Sequence, residues 1–167
     1  MKNMHLDPDF NHLTYGDRNQ RGNRLRILEA GDVIIFYAGL WDTRPARELV
    51  YAIIGKFEVE RWTLAANVSP GDWDKNAHSR KILDADADDI IVYGRPGASG
   101  RLERCIPIGE WRERAYRVRK DLLEEWGGLS ITNGYIQRSV YLPCFLDPER
   151  FLKWFKRQNP KLIQRNN

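Results

Sequence analysis

Two apolar runs lie close together in the first third of the chain and restrict its fold more than any other feature. Residues 33–40 are an unbroken series of apolar, β-branched and aromatic residues, and residues 49–60 resume the pattern, with alternation in the second half. Such runs predict β-strands. The polar stretch with Pro45 between them predicts a hairpin with a wide loop. Gly55 indicates a bulge or bend, by which a small sheet curls toward closure.

Further strands follow without the regular alternation of strand and helix that is typical of a parallel sheet. We predict strands at 90–93 and 102–108, and shorter strand-like segments at 131–135 and 139–145. Residues 110–126 have apolar side chains at near-helical spacing and are followed by two glycines, which predicts a helix.

A second helix is predicted after Asp147, because this residue suits an N-cap and Pro148 suits the first helical position. Several short strands with two late helices indicate the α+β class, with a small curled or barrel-like β-sheet flanked by helices. We expect 1–167 to be a single domain, with 1–24 as a loop-rich N-terminal segment and 158–167 as a basic tail.

Composition places the chain among globular proteins, since 42% of its residues are apolar and 30% are charged. The apolar runs are far shorter than the roughly 20 residues that a membrane-spanning helix needs. The first residues contain no apolar segment typical of a secretory signal. Cys105 and Cys144 have apolar neighbours and are interpreted as reduced, packed thiols. We therefore expect a soluble, cytoplasmic protein with no membrane partner.

Basic residues concentrate in the last third of the chain, although the net charge of the whole is only +4. The glycine-rich segment 94–100 contains Arg95 and is followed by Arg101, and the acid-free C-terminal cluster begins at Lys153. Salt-sensitive phosphate contact is one interpretation, and an inter-strand loop and a solvated surface are the alternatives. Residues 112–120 are better explained as a helix face with acidic partners. The candidate phosphate contacts are Arg95, Arg101, Arg138, Lys156 and Arg157.

No complete catalytic or metal-binding motif is present. The three histidines are His5, His12 and His78, and none lies in a hydrolase or zinc-binding sequence motif. His5 and Asp7 supply two potential ligands, and two ligands do not make a metal site. We therefore expect no catalytic residue, no metal and no cofactor. The acidic segment 84–89 lacks the pattern of a calcium-binding loop and is interpreted as a solvated loop.

Aromatic residues are plentiful on segments that are predicted to be loops or loop edges. Unpaired bases stack on such rings while nearby amides read their edges. Large rings are also core material, and we expect about half of these to be packed. Phe36, Phe57 and Trp126 are assigned to the core. The candidate rings are Tyr15, Tyr37, Trp41, Trp62, Trp73, Tyr93 and Tyr135, and the candidate amides are Asn76, Asn133 and Gln137.

Several short motifs resemble one family. They are His5-x-Asp7-Pro8-x-Phe10, Thr14-Tyr15-Gly16-Asp17, Leu28-x-x-Gly31-Asp32, Phe36-Tyr37-Ala38-Gly39-Leu40, Asn76-Ala77-His78, Leu102 to Ile108 and Ile136-Gln137-Arg138-Ser139. Together they resemble the nucleotide-modification-associated domains, a group similar to the PUA-like superfamily that includes ASCH, EVE and YTH domains. The resemblance implies a PUA-like curled β-barrel and recognition of a modified nucleobase or nucleotide. The implied nucleotide-binding residues are Tyr15, Tyr37, Gly39, Trp41, Asn76, His78 and Gln137.

Three functional hypotheses follow from these patterns. The leading one is a noncatalytic binder of nucleic acid or a modified nucleotide, with an aromatic and polar pocket and a basic rim. The second is a nucleic-acid-processing enzyme that uses His5, Asp7, His12 or His78. The third is a structural module whose rings make a protein interface. The sequence leaves open the choice of DNA, RNA or free nucleotide, and the oligomeric state.

Overall fold

The computed structural model describes residues 6–41, 43, 48–84, 87–137 and 142–166 of the chain. These residues form eight strands, three α-helices and three short 3-10 helices. The strands are β1 (Thr14–Asp17), β2 (Val33–Trp41), β3 (Leu49–Leu64), β4 (Ile90–Gly94), β5 (Gly100–Pro107), β6 (Gly109–Arg112), β7 (Ala115–Val118) and β8 (Leu162–Ile163). The α-helices are α1 (Asn19–Arg26), α2 (Lys120–Trp126) and α3 (Pro148–Arg157), and the 3-10 helices are Ala65–Asn67, Pro70–Lys75 and Thr132–Gly134.

Six of the strands form one sheet in the order β1-β4-β3-β5-β8, with β2 also paired to β3. The pairs β1–β4 and β3–β4 are antiparallel, with Thr14 opposite Tyr93 and Leu64 opposite Ile90. Strands β6 and β7 form a separate two-stranded sheet. Among the described residues the larger sheet is open and does not close into a barrel. The prediction of an α+β fold with a β-sheet and helices is therefore confirmed in its coarse form.

Strand β3 is sixteen residues long, which gives it room to pair with β2, β4 and β5. Its pairing with β2 confirms that the two apolar runs pair with each other. A Cβ atom on Gly55 would lie 2.4 Å from the Phe10 ring and 2.9 Å from the carbonyl oxygen of Gly100, so close approach is what requires glycine here. The register irregularity against β4 lies further along, between Val59 and Arg61.

The chain divides into two compact units. Unit 1 consists of Met1–Phe36, Gly55–Arg101 and Leu162–Asn167, and unit 2 consists of Tyr37–Ile54 and Leu102–Lys161. Three of the boundaries between the units fall inside β2, β3 and β5, so each of these strands contributes residues to both units.

The core of unit 1 is built on three phenylalanine rings. Phe36 meets Phe10 edge to face at a centroid distance of 5.8 Å and Phe57 at 4.7 Å. Edge-to-face pairs bring the positive edge of one ring to the negative face of another. The apolar run 90–92 of β4 is fully buried. The assignment of Phe36 and Phe57 to the core is confirmed.

The core of unit 2 joins α2 to α3 through aromatic contacts. Trp126 of α2 lies 4.9 Å from Trp154 and 5.2 Å from Phe151, measured between ring centroids. Phe145, just before α3, stacks on Phe151 at 3.8 Å. Trp126 is 1% exposed, which confirms its assignment to the core.

The helix predicted for 110–126 forms only over its last seven residues, as α2. The earlier part is the hairpin of β6 and β7, which turns at Glu113 and Arg114. These two residues have φ values of 52° and 60°. Two positive φ values define a tight hairpin turn and are incompatible with a right-handed helix. Gly127, with φ of 79°, ends α2 as the sequence predicts.

Two other local predictions differ from the structure. Residues 132–134, predicted as part of a strand, form a 3-10 helix in which Asn133 has a positive φ of 51°. The loop-rich segment 1–24 contains β1 and most of α1. Because α1 buries only Gly22 and Leu25, its sequence lacks the apolar stripe by which a helix is recognised. Residues 139–141 lie outside the described part of the chain.

The two cysteines are exposed, which corrects the prediction that they are packed. Cys105 lies in the second half of β5, where most side chains face solvent. Cys144 lies in the segment before α3, where its backbone N–H donates a 2.9 Å hydrogen bond to Ser130 Oγ. Apolar neighbours in the sequence therefore do not indicate a buried side chain at either position.

Helix α3 starts as predicted, because Asp147 accepts a 3.1 Å hydrogen bond from the Arg150 backbone N–H and Pro148 is the first helical residue. Asp147→Ala removes this cap and should lower the free energy of unfolding by about 1 kcal/mol. Urea denaturation followed by tryptophan fluorescence measures the loss. Lys153→Ala, at an exposed position of the same helix, should change stability by less than about 0.5 kcal/mol. Equal losses in both variants would contradict the capping role.

Candidate functional site

His78 lies between two carboxylates in unit 1. Its Nε2 is 3.3 Å from Asp7 Oδ2, and its Nδ1 contacts Asp89 Oδ1. Lys81 Nζ reaches the same oxygen of Asp89 at 2.6 Å. The side chains of His78, Asp7 and Asp89 are 12%, 8% and 4% exposed, so water screens their charges only weakly. We name these four residues, Asp7, His78, Lys81 and Asp89, the His78 clamp.

The His78 clamp joins segments that are distant in sequence. Asp7 precedes β1 and accepts a 2.9 Å hydrogen bond from the backbone N–H of Gly16 in that strand. His78 follows the 3-10 helix Pro70–Lys75, and Asp89 directly precedes β4. The clamp therefore fixes the N-terminal segment and the 70–89 region to two neighbouring strands of the sheet.

Asn76 and Gly16 complete the surroundings of His78. The Asn76 side chain accepts a 2.8 Å hydrogen bond from the His78 backbone N–H and donates a 3.1 Å hydrogen bond to Thr14 Oγ1. Asn76 is 1% exposed, so its amide is used inside the protein. A Cβ atom on Gly16 would lie 2.4 Å from the His78 ring. Only glycine at position 16 allows β1 to pass this close to the imidazole.

The pKa of His78 is raised, first by the hydrogen bond with Asp7 and then, against the opposing effect of burial, by the hydrogen bond with Asp89. Both ring nitrogens face carboxylates, and both can donate only when the ring is the imidazolium. In the imidazolium form both N–H groups are directed at Asp7 and Asp89, which suits a structural role for the ring. Burial acts to raise the pKa of Asp89, and hydrogen bonds from His78 and Lys81 outweigh it and lower that pKa.

A second buried carboxylate, Asp9, lies at the start of the same unit and is 1% exposed. His12 Nδ1 is 3.0 Å from its Oδ2, and Asn166 Nδ2 donates to its Oδ1 at 3.0 Å. Arg80 approaches it at 3.6 Å. Burial acts to raise the pKa of Asp9, and the hydrogen bonds from His12 and Asn166 lower it overall. The carboxylate thus links the N-terminal segment to the C-terminal residues of unit 1.

Tyr15 is a partly buried residue of unit 1. Its hydroxyl donates a 2.9 Å hydrogen bond to Asp17 Oδ2, and its ring meets Phe36 edge to face at 5.3 Å. Burial and the neighbouring Asp17 carboxylate raise the pKa of its hydroxyl. Three of the predicted nucleotide-binding residues, Tyr15, Asn76 and His78, thus lie in unit 1, and their polar atoms bond to protein groups.

Sequence reasoning missed Asp89 and Lys81. The segment 84–89 was expected to be a solvated loop, and this is wrong for Asp89, which is 3% exposed. One local signal was available, because Asp89 directly precedes the apolar run 90–92. A carboxylate beside a buried strand must find hydrogen-bond donors or cations, because an unpaired buried charge is costly.

Unit 2 carries a different arrangement, in which aromatic side chains reach the surface. Tyr37, Gly39 and Trp41 alternate along β2 and therefore lie on one face of that strand. A Cβ atom on Gly39 would lie 3.3 Å from the Tyr51 ring, so Tyr51 packs over this face. The centroids of Tyr37 and Tyr51 are 6.5 Å apart. Trp41 is 70% exposed.

The hairpin of β6 and β7 extends this row of rings. Tyr51 stacks on Tyr116 at a centroid distance of 4.9 Å, and Trp111 meets Tyr116 edge to face at 5.0 Å. Trp111 and Tyr116 are opposite residues in the β6–β7 register, and Trp111 is 61% exposed. We name the five rings of Tyr37, Trp41, Tyr51, Trp111 and Tyr116 the aromatic face.

Gln137 lies beside the aromatic face. Its Oε1 accepts a 3.1 Å hydrogen bond from the Tyr116 backbone N–H, and its amide NH₂ makes no hydrogen bond to a described residue. The hydroxyl of Tyr37 donates a 3.1 Å hydrogen bond to the carbonyl of Ile136. Tyr37, Gly39 and Gln137 are therefore gathered around Tyr51 and Tyr116, two rings that sequence reasoning missed.

Three of the five basic residues in 112–120, namely Arg112, Arg117 and Arg119, pair with acids as predicted. The predicted helix face is wrong, because Arg112 and Arg117 lie on the hairpin of β6 and β7. Arg112 contacts Glu110 at 2.8 Å, and Arg119 contacts Asp121 at 2.7 Å. Arg112 also donates to the carbonyl of Val118 at 2.9 Å and contacts the Asn133 side chain. These bonds hold the hairpin that carries Trp111 and Tyr116.

The predicted phosphate contacts lie in different surroundings. In unit 1, Arg95 forms a 2.6 Å ion pair with Glu58, and Arg101 Nε donates to the carbonyl of Arg165 at 3.4 Å. In unit 2, Arg157 pairs with Glu125. Lys156 is exposed, and its ammonium forms no ion pair with a described residue. Arg138 and His5 lie outside the described residues.

Charge is distributed unequally between the two units. Counted over the sequence, unit 2 contains fourteen Lys and Arg residues against ten Asp and Glu, whereas unit 1 contains thirteen of each. The net positive charge of the chain therefore belongs to the unit that exposes the aromatic face.

Three other features of the described residues bear on function. A shallow cleft of about 480 Å³ in unit 2 is lined by residues 103–107 of β5 and by 158–161 after α3. No group of three or more His, Cys, Asp or Glu side chains in the described ranges is arranged to hold a metal ion. None of the described helices is long and apolar enough to cross a membrane.

The His78 clamp predicts a specific dependence of stability on pH. His78→Gln leaves two shielded carboxylates without their imidazolium and should lower the free energy of unfolding by about 3 kcal/mol at pH 6. Because folding raises the His78 pKa above 6.5, this stabilisation is complete below the unfolded-state pKa and is lost as pH rises through the folded-state pKa. Urea denaturation of both proteins across pH 6 to 9 measures the difference.

Arg119→Gln is the control, because the ion pair of Arg119 with Asp121 at 2.7 Å joins two exposed side chains. It should cost less than about 1 kcal/mol. A stability difference between wild type and His78→Gln that stays constant or grows with pH would contradict an imidazolium held by Asp7 and Asp89.

Comparison with protein families identifies a relationship over most of the chain. The model of the family described as nucleotide modification associated domain 3 matches residues 1–134. No curated protein and no solved structure gives a significant match. The matched range includes the whole His78 clamp and all five rings of the aromatic face. The chain therefore belongs to the nucleotide modification associated domain 3 family.

Proposed function

We propose that this protein binds nucleic acid, or a modified nucleobase or nucleotide, through the aromatic face of unit 2, with basic side chains around it. The observation that carries the proposal is the match of residues 1–134 to a family associated with nucleotide modification. The aromatic face lies within this range and offers the chemistry that base binding needs, because every base has a π face that stacks on tyrosine or tryptophan.

Exposure of the rings supports this assignment. Trp41 and Trp111 are 70% and 61% exposed, although tryptophan is usually packed in the interior of a folded protein. Large exposed apolar side chains that lie together commonly mark binding surfaces. Gln137 adds an amide whose NH₂ group makes no hydrogen bond to a described residue. That group supplies a donor for the edge of a base.

The charge of unit 2 supports the same assignment. Basic residues exceed acidic ones only in this unit, and phosphate groups are the ligands for which an excess of Lys and Arg is suited. Among the predicted phosphate contacts that the structure describes, Lys156 is the one whose side chain forms no ion pair or hydrogen bond with a described residue. Arg95, Arg101 and Arg157 bond to protein groups and would have to exchange these bonds for a phosphate.

In this proposal the seven residues predicted for the pocket divide into two roles. Tyr37, Gly39, Trp41 and Gln137 contribute to the binding surface directly. Tyr15, Asn76 and His78 support the architecture of unit 1, because their polar atoms bond to protein groups. We also propose that residues 1–167 act as a single domain related to PUA-like folds, which the antiparallel sheet with flanking helices supports.

Substitution of the exposed rings tests the proposal. Trp41→Ala and Trp111→Ala should each weaken binding of a fluorescent oligonucleotide by about tenfold, because stacking of one base is worth roughly 1–3 kcal/mol. Fluorescence anisotropy at low salt measures the affinity. Oligonucleotides with unmodified bases and with hydroxymethylcytosine or methyladenine are compared, since the family description mentions nucleotide modification.

Trp62→Ala is the matched control, because Trp62 is 38% exposed and belongs to unit 1. It should leave the affinity within about twofold of wild type. Absence of binding by the wild-type protein to every oligonucleotide would refute the proposal, and an equal loss in Trp62→Ala would remove the aromatic face as its site.

Phosphate contact by Lys156 gives a second prediction. Lys156→Gln should make the dependence of log affinity on log salt concentration less steep by about 0.7 for a single strand, because one fewer counterion is released. Lys75→Gln is the control, because Lys75 is paired with Asp72 at 2.6 Å in unit 1. The slope is measured by anisotropy at several salt concentrations. Identical slopes for wild type and Lys156→Gln would exclude Lys156 from the interface.

A further inference from the structure

The geometry of unit 2 points to a ligand class: we infer that the aromatic face binds an unpaired nucleic-acid strand in preference to a duplex or a free mononucleotide. This inference rests on the proposed function. It concerns the state of the bases, paired or unpaired, and the number of nucleotides that the surface engages.

The first argument is the kind of surface that the rings present. In a duplex the faces of the bases are covered by their neighbours, and only base edges and the backbone are accessible. A ring can stack only on a base whose face is open, as in a single strand. Trp41 and Trp111 are more than half exposed, so their rings are accessible to an unpaired base.

The second argument is that the exposed rings lie on separate elements. Trp41 is in β2 and Trp111 is in β6. Tyr51 and Tyr116 continue the row between β3 and β7, stacked on each other at 4.9 Å. A mononucleotide has one base and one phosphate group. A strand supplies successive bases for several rings, and the energies of successive stacking contacts accumulate.

The third argument is the rigidity and charge of the hairpin that carries Trp111. Arg112 fixes it through Glu110, Asn133 and the carbonyl of Val118. Arg114 lies at the turn, where a positive φ and an exposed side chain place its guanidinium at the surface. A platform fixed before binding loses little conformational entropy on contact. The neighbouring arginine supplies a cation for the phosphate that follows a stacked base.

The experiment compares four probes in one anisotropy assay. These are a labelled mixed-sequence strand of about twelve nucleotides, within the range of site sizes known for single-strand binders, the same strand annealed to its complement, a dinucleotide and the mononucleotides. The unlabelled species are used as competitors. We expect the single strand to bind at least tenfold more tightly than the duplex and the mononucleotides, with the dinucleotide between them.

Three variants separate stacking from charge. Trp111→Ala should lower both the affinity for the strand and the ratio of strand to duplex affinity, and Trp111→Phe should restore part of that ratio. Arg114→Gln should lower strand and duplex affinity by similar factors and leave the ratio unchanged, because both ligands carry phosphates. A variant that had merely lost structure would lower all affinities together, so the ratio is the deciding quantity.

The outcomes distinguish the inference from the function on which it rests. A duplex or a mononucleotide that binds as tightly as the strand would overturn the inference and leave the proposed function standing. A ratio that is unchanged in Trp111→Ala would also overturn it. If none of the probes, modified or unmodified, binds the wild-type protein, the proposed function itself would be overturned.

Discussion

The ion pairs of His78 with Asp7 and Asp89 determine how unit 1 can be built. Charges this shielded from water are tolerated only when each has a partner of opposite sign and its hydrogen bonds are made. The N-terminal segment, the turn around Asn76 and the start of β4 must therefore meet at the imidazole ring. This requirement also explains the glycine at position 16 of β1, because a Cβ atom there would lie only 2.4 Å from the His78 ring.

The two units use similar residue types for different purposes. Unit 1 turns its histidines, amides and carboxylates inward and balances thirteen basic against thirteen acidic residues, so its polar groups stabilise the fold. Unit 2 fills its interior with the rings of α2 and α3, and its hairpin and β2 expose other rings at the surface. A ring that contributes to the core cannot stack on a ligand. In the proposed function the exposed rings of unit 2 are therefore the ones that contact the ligand, and unit 1 exposes the rings of Trp62 and Trp73.

The parts of the fold that the sequence predicts correctly are those with local signals. Strands β2 to β5 follow from apolar runs of strand length, and α3 follows from the Asp147 cap with Pro148 behind it. The His78 clamp could not be predicted in this way. Asp7 and Asp89 lie on opposite sides of His78, 71 and 11 residues away in sequence, and their meeting depends on the pairing of β1 with β4. Only the presence of a carboxylate beside a buried strand gave a local indication.

The aromatic face could not be assembled from the sequence because one turn was misread. Hairpin turns of this kind favour Asn-Gly or Asp-Gly, whose residues adopt positive φ at little cost, and here the turn is Glu113-Arg114. With no glycine to mark it, the region matches helical spacing. On a helix, Trp111 and Tyr116 would be five positions apart and would point in different directions. On the hairpin they are cross-strand neighbours. Two positive φ angles thus decide whether these rings scatter around a helix or form one continuous surface with Tyr51.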